Sequence, residues 1–262
     1  AWSSKIPVLY GKDNVHGMGD VTNATIFPHN IGLGATRDSA LVRRIGEAVA
    51  IEMWAAHIDL NFSPAVSVPR DERWGRTYEG YGENPDLVAA MGAAYVRGLQ
   101  GDNFDAEWRI ISTAKHFLGD GATDKGYDRG NATISDDELR AIHLPPYIAA
   151  IEQGVQSVMA SFNQINGEHQ HVDSLRLTVL LKKELGFDGY VIADWEGIEN
   201  STTPGAAGNY SGSYTGVSST DAVKNAINAG IDMAMVPQSS GTFIDAMKSL
   251  VSSGKISEDR VR

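Results

Sequence analysis

An aspartate and a tryptophan at the end of a short apolar run are the residues best suited to chemistry in this sequence. The run is Tyr190-Val191-Ile192-Ala193, followed by Asp194-Trp195-Glu196-Gly197. The first part has the β-branched and aromatic content of a buried strand, and the second suits a loop. A carboxylate at the C-terminal tip of a parallel strand is how a (β/α) barrel builds a site. The plainer alternative is that Asp194 caps a helix or anchors a turn. Other strand-like runs end in polar side chains too: Asp13, Asn14 and His16 follow residues 6–10, and Lys115-His116-Phe117 follow residues 109–114. Met159 and Phe162 flank the end of the run at 155–160, while Arg76 lies in a long loop at 63–84 rich in arginine and aromatics. A loop of that length with that composition is functional rather than disordered.

Together these tips offer two carboxylates, several cationic or near-cationic groups and aromatic walls, a mixture that suits a sugar. Hydroxyls exchange hydrogen bonds with Asp, Lys, Arg and His, the apolar ring face stacks on Trp, and an Asp beside an anomeric carbon can act as a nucleophile. A lysine at a buried strand tip needs a partner or a ligand. Met159 and Phe162 read first as packing residues, and Trp74 serves equally well as core or wall. The histidines have no metal-ligand spacing, His169 and His171 lacking a third ligand nearby, so no zinc site is expected, and sugar chemistry of this kind needs no cofactor. No Gly-rich phosphate loop follows a strand.

The elements that must hold these tips alternate. Strand patterns lie at residues 6–10, 58–62, 109–114, 155–160, 190–193 and 231–235. Helical patterns lie at 38–56, 85–100, 135–152, 173–185, 221–229 and 242–251, and another begins at 257. Thr36 or Asp38 is the N-cap candidate of the first long helix and Asn84 that of the second, Pro85 suits a first helical turn, and Ser135 to Glu138 matches a capping box. Alternation of this kind predicts an α/β fold, a (β/α)8 TIM-like barrel of parallel strands with crossover helices. Six strand patterns are present where a closed barrel has eight. Residues 31–33 are a candidate seventh strand, and the barrel is expected to be incomplete or irregular at its N-terminal strand.

Composition narrows the partners. The 262 residues are 42 % hydrophobic and 21 % charged, as for a globular domain with a sizeable core. A net charge of −11 argues against nucleic acid. Without cysteine there is neither a disulfide nor a thiolate nucleophile. No apolar run approaches the roughly 18 residues of a membrane span. The N-terminus shows no signal peptide, and a start at Ala1-Trp2 without methionine fits a processed or excised chain.

Four motifs in order, Tyr-Gly-Lys-Asp-Asn-Val-His-Gly (10–17), Arg-Trp-Gly-Arg-Thr-Tyr-Glu (73–79), Ala-Lys-His-Phe-Leu-Gly-Asp-Gly (114–121) and Val-Ile-Ala-Asp-Trp-Glu-Gly-Ile (191–198), resemble glycoside hydrolase family 3. The branch they resemble is that of exo-acting β-glucan glucohydrolases and β-glucosidases, over nearly the whole chain. The resemblance implies a retaining glycosidase that releases terminal β-D-glucosyl units from β-glucosides or β-glucan oligosaccharides, with Asp194 as nucleophile. It implies that Trp195 flanks the sugar, that Asp13, Arg76, Lys115 and His116 hold its hydroxyls, and that Met159 and Phe162 line the same subsite. Phe162 stands where relatives carry tyrosine, a departure that removes a hydroxyl.

In this branch the general acid is a glutamate of a C-terminal α/β sandwich domain, which is expected to be absent from this chain. The N-acetylglucosaminidase branch takes its acid from an Asp-His pair in the loop after Lys-His-Phe, but residues 118–134 contain no histidine. Glu79, Glu168 and Glu196 are nominal candidates without a supporting motif. The resemblance places the protein in the periplasm or outside the cell. The competing expectations are a β-xylosidase, an N-acetylglucosaminidase and a non-catalytic sugar-binding barrel.

Overall fold

The computed structural model describes residues 8–102, 104, 107–201 and 219–262. Its strands are β1 (Gly11–Lys12), β2 (Leu60–Asn61), β3 (Ile111–Phe117), β4 (Asn131–Ala132), β5 (Ser157–Ala160), β6 (Gln164–Ile165), β7 (Glu168–His169) and β8 (Tyr190–Ile192). Its helices are α1 (Asn30–Thr36), α2 (Ser39–Ala55), α3 (Pro85–Gln100), α4 (Asp136–Glu138), α5 (Pro145–Glu152), α6 (Gly197–Asn200), α7 (Thr220–Ala229), α8 (Ser240–Ser252) and α9 (Glu258–Val261). No described helix is long and apolar enough to cross a membrane.

The main sheet is parallel throughout, with order β1-β2-β3-β5-β8. Each strand lies beside the next major one in the chain, so every crossover advances in one direction and all C-terminal tips share one edge. A parallel bridge from Ile192 to Met233 adds a further position beyond β8. Among the described residues the sheet does not close into a ring. The small second sheet, β4-β6-β7, lies in the loops after β3 and β5.

Caps and periodicity set the helix boundaries. Asp38 accepts the Leu41 N–H at 2.9 Å, and Asn84 accepts those of Asp86 and Leu87 at 2.9 and 3.1 Å. Each satisfies N–H groups that have no partner inside the helix, a contribution of about 1 kcal/mol per cap. Pro85 then sits where a missing N–H is harmless. α2 and α3 cross with their backbones nearly touching. A Cβ on Gly98 would lie 2.3 Å from the Arg43 carbonyl, so only glycine permits the crossing.

Several expectations are corrected. Residues 31–33 belong to α1 and are not a strand; an apolar triplet carries no period long enough to choose between the two. Of the first strand, residues 6 and 7 lie outside the described residues. Pairing begins at Tyr10, whose carbonyl accepts from Asp59 and Leu60, and Val8 and Leu9 are exposed. Residues 231–235 make a single bridge and no strand. The helix at 135–152 is broken at Leu139–His143 by π-type bonding, with Leu144 N–H reaching the Leu139 carbonyl. Leu175–Glu184 is π-helical as well. Most of the Gly/Ser/Thr-rich run at 201–220 falls outside the described residues.

Candidate active site

The tips of the parallel strands surround a cavity of about 920 Å³. Asp13, Arg76, Lys115, His116, Met159, Phe162, Asp194 and Trp195 all line it. Their elements are different: the turn after β1, the loop after β2, β3 itself, β5 and the turn after it, and the turn after β8. Trp74 is buried away from the cavity, which settles it as a packing residue.

The β1 tip is tied to β2 by a reciprocal pair: Asn14 N–H donates to Asn61 Oδ1 and Asn61 Nδ2 donates to the Asn14 carbonyl, both at 3.0 Å. That clamp sets Asp13 against Lys115, whose Nζ lies 2.5 Å from Asp13 Oδ1. The Lys115 side chain is 5 % exposed and that of Asp13 is 65 % exposed, so the pair joins the cavity wall to solvent. Lys115 and His116 extend β3 rather than following it, and the peptide bond between them is cis.

Arg76 donates to both carboxylate oxygens of Glu79 at 2.8 and 2.7 Å, a forked geometry that fixes the guanidinium. It also lies 3.2 Å from His116 Nε2. Guanidinium can only donate, so Nε2 accepts, the ring is neutral, and its Nδ1–H donates to Asp120 Oδ2 at 2.9 Å. Burial first, and then the Arg76 charge, hold His116 well below the ordinary histidine range. Burial raises Asp120, against the pull of Arg76 and of hydrogen bonds from Ser67 and Ser161.

Asp194 extends one oxygen, Oδ2, to 3.8 Å from His116 Nε2. Its Oδ1 accepts the Trp195 N–H at 2.7 Å, so the turn-anchoring expectation holds for one oxygen while the other faces the site. Trp195 is 50 % exposed on the cavity wall. Phe162 stacks beneath Arg129, whose Cζ is 4.2 Å from the ring centroid. Arg129 itself lies 3.5 Å from Asp128.

Of the nominal acids, only Glu79 reaches the cavity. Burial pushes its carboxyl up, but the two bonds from Arg76 and that residue's charge outweigh this and leave it below the usual range. It is ionised and without a proton to give. Glu196 is buried at a left-handed backbone position (φ 54°) and does not line the cavity, nor does the exposed Glu168. Asp128 is raised by burial and by Asp120 but does not line it either.

Sequence reasoning missed Glu79 as the clamp of Arg76, Asp120 as the support of His116, Arg129, and His171. The first two had a faint signal, three and four residues beyond their partners. For the others no spacing rule applied.

Three buried histidines make stability depend on pH. His143 is held at about 4 by burial and then Arg70, and His171 at about 3 by burial and then His169; His116 is depressed as above. Below about pH 6.5 the unfolded chain binds these protons and the folded chain does not, so the unfolded state gains on acidification. Stability is therefore expected to fall from about pH 6.5 downward, by at most about 1.4 kcal/mol per pH unit per histidine. The loss should continue toward about 4 for His143 and about 3 for His171. Urea unfolding of His143→Gln over this range should show a slope shallower by one proton; an unchanged slope would contradict a neutral buried His143.

A cavity lined by charged and aromatic side chains, with an aspartate at one tip of a parallel α/β sheet, has the character of a ligand site on a barrel-like fold. Residues 2–262 match the glycosyl hydrolase family 3 N terminal domain. The chain belongs to this family. It is 34 % identical to a lysosomal beta glucosidase of Dictyostelium discoideum, covering 98 % of this chain and 31 % of that protein. It is 31 % identical to a periplasmic beta-glucosidase of Salmonella typhimurium, covering 96 % and 31 %. The crystal structure of an exo-1,3/1,4-beta-glucanase from a Pseudoalteromonas species superimposes with a TM-score of 0.87 at 45 % identity, over 98 % of this chain and 31 % of that one. The chain thus spans about a third of the length of these relatives.

Proposed function

We propose that this chain is the nucleophile-bearing domain of a retaining, exo-acting β-glucosidase or β-glucan glucohydrolase. The observation that carries the reading is Asp194 Oδ2 at 3.8 Å from His116, facing a cavity that also presents Lys115 with Asp13 and Arg76 with Glu79. In this reading Asp194 attacks the anomeric carbon of a terminal β-D-glucosyl unit as the leaving oxygen takes a proton from a general acid. The glycosyl–Asp194 ester is then hydrolysed by water, which the same acid group deprotonates, and configuration is retained.

Asp13, Arg76, Lys115 and His116 bind the hydroxyls of that unit, Trp195 flanks it, and Met159 and Phe162 close the subsite. A site that hydrogen-bonds the hydroxyls of one sugar rejects sugars lacking them, because its polar groups would be left unpaired. That favours a terminal unit and release of glucose. Glu79 is ionised and the other nominal glutamates lie off the cavity, which supports what the family resemblance implies, that the acid/base is a glutamate of a C-terminal α/β sandwich domain. The chemistry needs no cofactor. The relative named periplasmic supports a periplasmic or secreted location.

The test is covalent trapping on the full-length protein. A 2-deoxy-2-fluoro-β-glucosyl donor with a dinitrophenolate leaving group forms the ester without much acid assistance, and the fluorine slows its hydrolysis. Mass mapping should place the fluoroglucosyl label on Asp194. Label on another carboxylate would overturn the site. Sugar binding with no label at all would leave a binding barrel.

A further inference from the structure

The geometry points to His171 as a positioning residue for Asp194, holding the backbone of the proposed nucleophile through a hydrogen bond from the Asp194 N–H to His171 Nε2. The inference rests on Asp194 being the nucleophile. The bond is 3.0 Å long, and His171 is 2 % exposed.

The hydrogen bonds of this turn show why the residue matters. Ala193 N–H donates to the Met233 carbonyl and Glu196 N–H to the Met235 carbonyl, both across the same edge. Trp195 N–H is taken by Asp194 Oδ1. Asp194 N–H points the other way, beyond the last β5–β8 pair at Met159 and Ile192, where no described strand carbonyl remains to receive it. A buried N–H without an acceptor is unfavourable, so a side chain must supply one. His171 does so from the turn Gln170–Val172, which follows β7.

The imidazole is held on its other sides. An N–H can only donate, so Nε2 carries the lone pair and Nδ1 the proton, and the Ser161 backbone at the β5 tip works against burial by favouring the protonated ring. Burial keeps the ring neutral, as this tautomer requires. Phe162 packs against it at 5.7 Å between centroids. Gly197 passes so close that a Cβ there would lie 2.1 Å from Nε2. One histidine thus ties the β5 tip, the Phe162 wall and the Asp194 backbone together, and none of its atoms needs to touch substrate.

Loss of the acceptor frees the turn that aims the carboxylate, while the groups on β1 and β3 that read the hydroxyls are untouched. In the full-length enzyme, His171→Leu is therefore expected to lower kcat and the rate of fluoroglucosyl labelling on the order of 10²-fold, as for a misplaced reacting group. KM and gluconolactone affinity should stay unchanged, and the retained lactone binding reports a folded site. His171→Gln, which returns an acceptor at similar reach, should recover most of the rate. The inference is overturned if His171→Leu keeps its kcat, if Gln and Leu lose it equally, or if the loss appears in KM or lactone affinity. Label elsewhere than on Asp194 in the unaltered enzyme would overturn the nucleophile assignment and this inference with it; the variant outcomes overturn this inference alone.

Discussion

Asp194→Asn in the full-length protein should abolish turnover of aryl β-glucosides, by roughly 10⁴- to 10⁶-fold in kcat, the range seen when a group acting as part of a catalytic unit is removed. The new side chain is nearly isosteric and still accepts the Trp195 N–H now taken by Oδ1. Its amide, however, is no nucleophile. Gluconolactone affinity should change little, because the proposed hydroxyl-binding groups come from other strands. Asp194→Ala adds a second diagnosis. Azide entering the vacated space should attack the anomeric carbon of a dinitrophenyl glucoside from the side opposite the leaving group and yield the α-glucosyl azide. A β product, or residual activity above about a thousandth of the original, would remove Asp194 from the role.

Lys115→Met should produce the next largest loss, on the order of 10²-fold or more in kcat/KM. The substitution keeps the length of the stem in a buried position but removes the ammonium. Asp13, 2.5 Å away, loses its partner, and under the proposed reading a sugar hydroxyl loses a charged donor. Charge-assisted hydrogen bonds of this kind contribute about 1.5–3 kcal/mol each, so two lost together reach the stated effect. Asp13→Asn in the same background should add little further, since the two residues act through one contact. The deficit should shrink on a deoxy-glucoside lacking the hydroxyl proposed to meet Lys115. A Lys115→Met enzyme with nearly full kcat/KM on β-glucosides would show that this pair is structural and remove it from the binding site.

The two variants probe different strand tips of the cavity, and their readouts differ for a structural reason. Asp194 is placed by β8 and the turn after it, Lys115 by β3, and the strand between them, β5, carries Met159. On the proposed reading, a defect at the β8 tip therefore leaves the hydroxyl-binding side assembled, and a defect at β3 leaves the proposed nucleophile in place but the sugar poorly held.

Much of this arrangement was readable along the chain. Asn84 before Pro85 and Asp38 before an apolar period announced α3 and α2, because a cap acts on N–H groups two or three residues away. The run before Asp194 announced a strand by its side chains alone, and alternation of strands with helices announced parallel order. Once the strands are parallel, polar residues at their C-terminal ends must share a face, which is why all the expected site residues line one cavity. Shorter signals failed. Residues 31–33 became a helical turn and residues 231–235 a single bridge, since a few apolar residues fit either state and neighbours decide.

What the sequence determined by itself was local: caps, periods, and which residue types end each strand. Those depend on interactions within a few residues and survive without the rest of the molecule. Only the tertiary structure decided the partners. Lys115 meets Asp13 across 102 positions, Asn14 meets Asn61 across 47, and His171 takes the Asp194 N–H across 23. Such pairings follow from strand register and from which buried donors are left over after the sheet forms. A buried N–H donates to whatever lone pair the packing brings to it, and no spacing along the chain records which one that is.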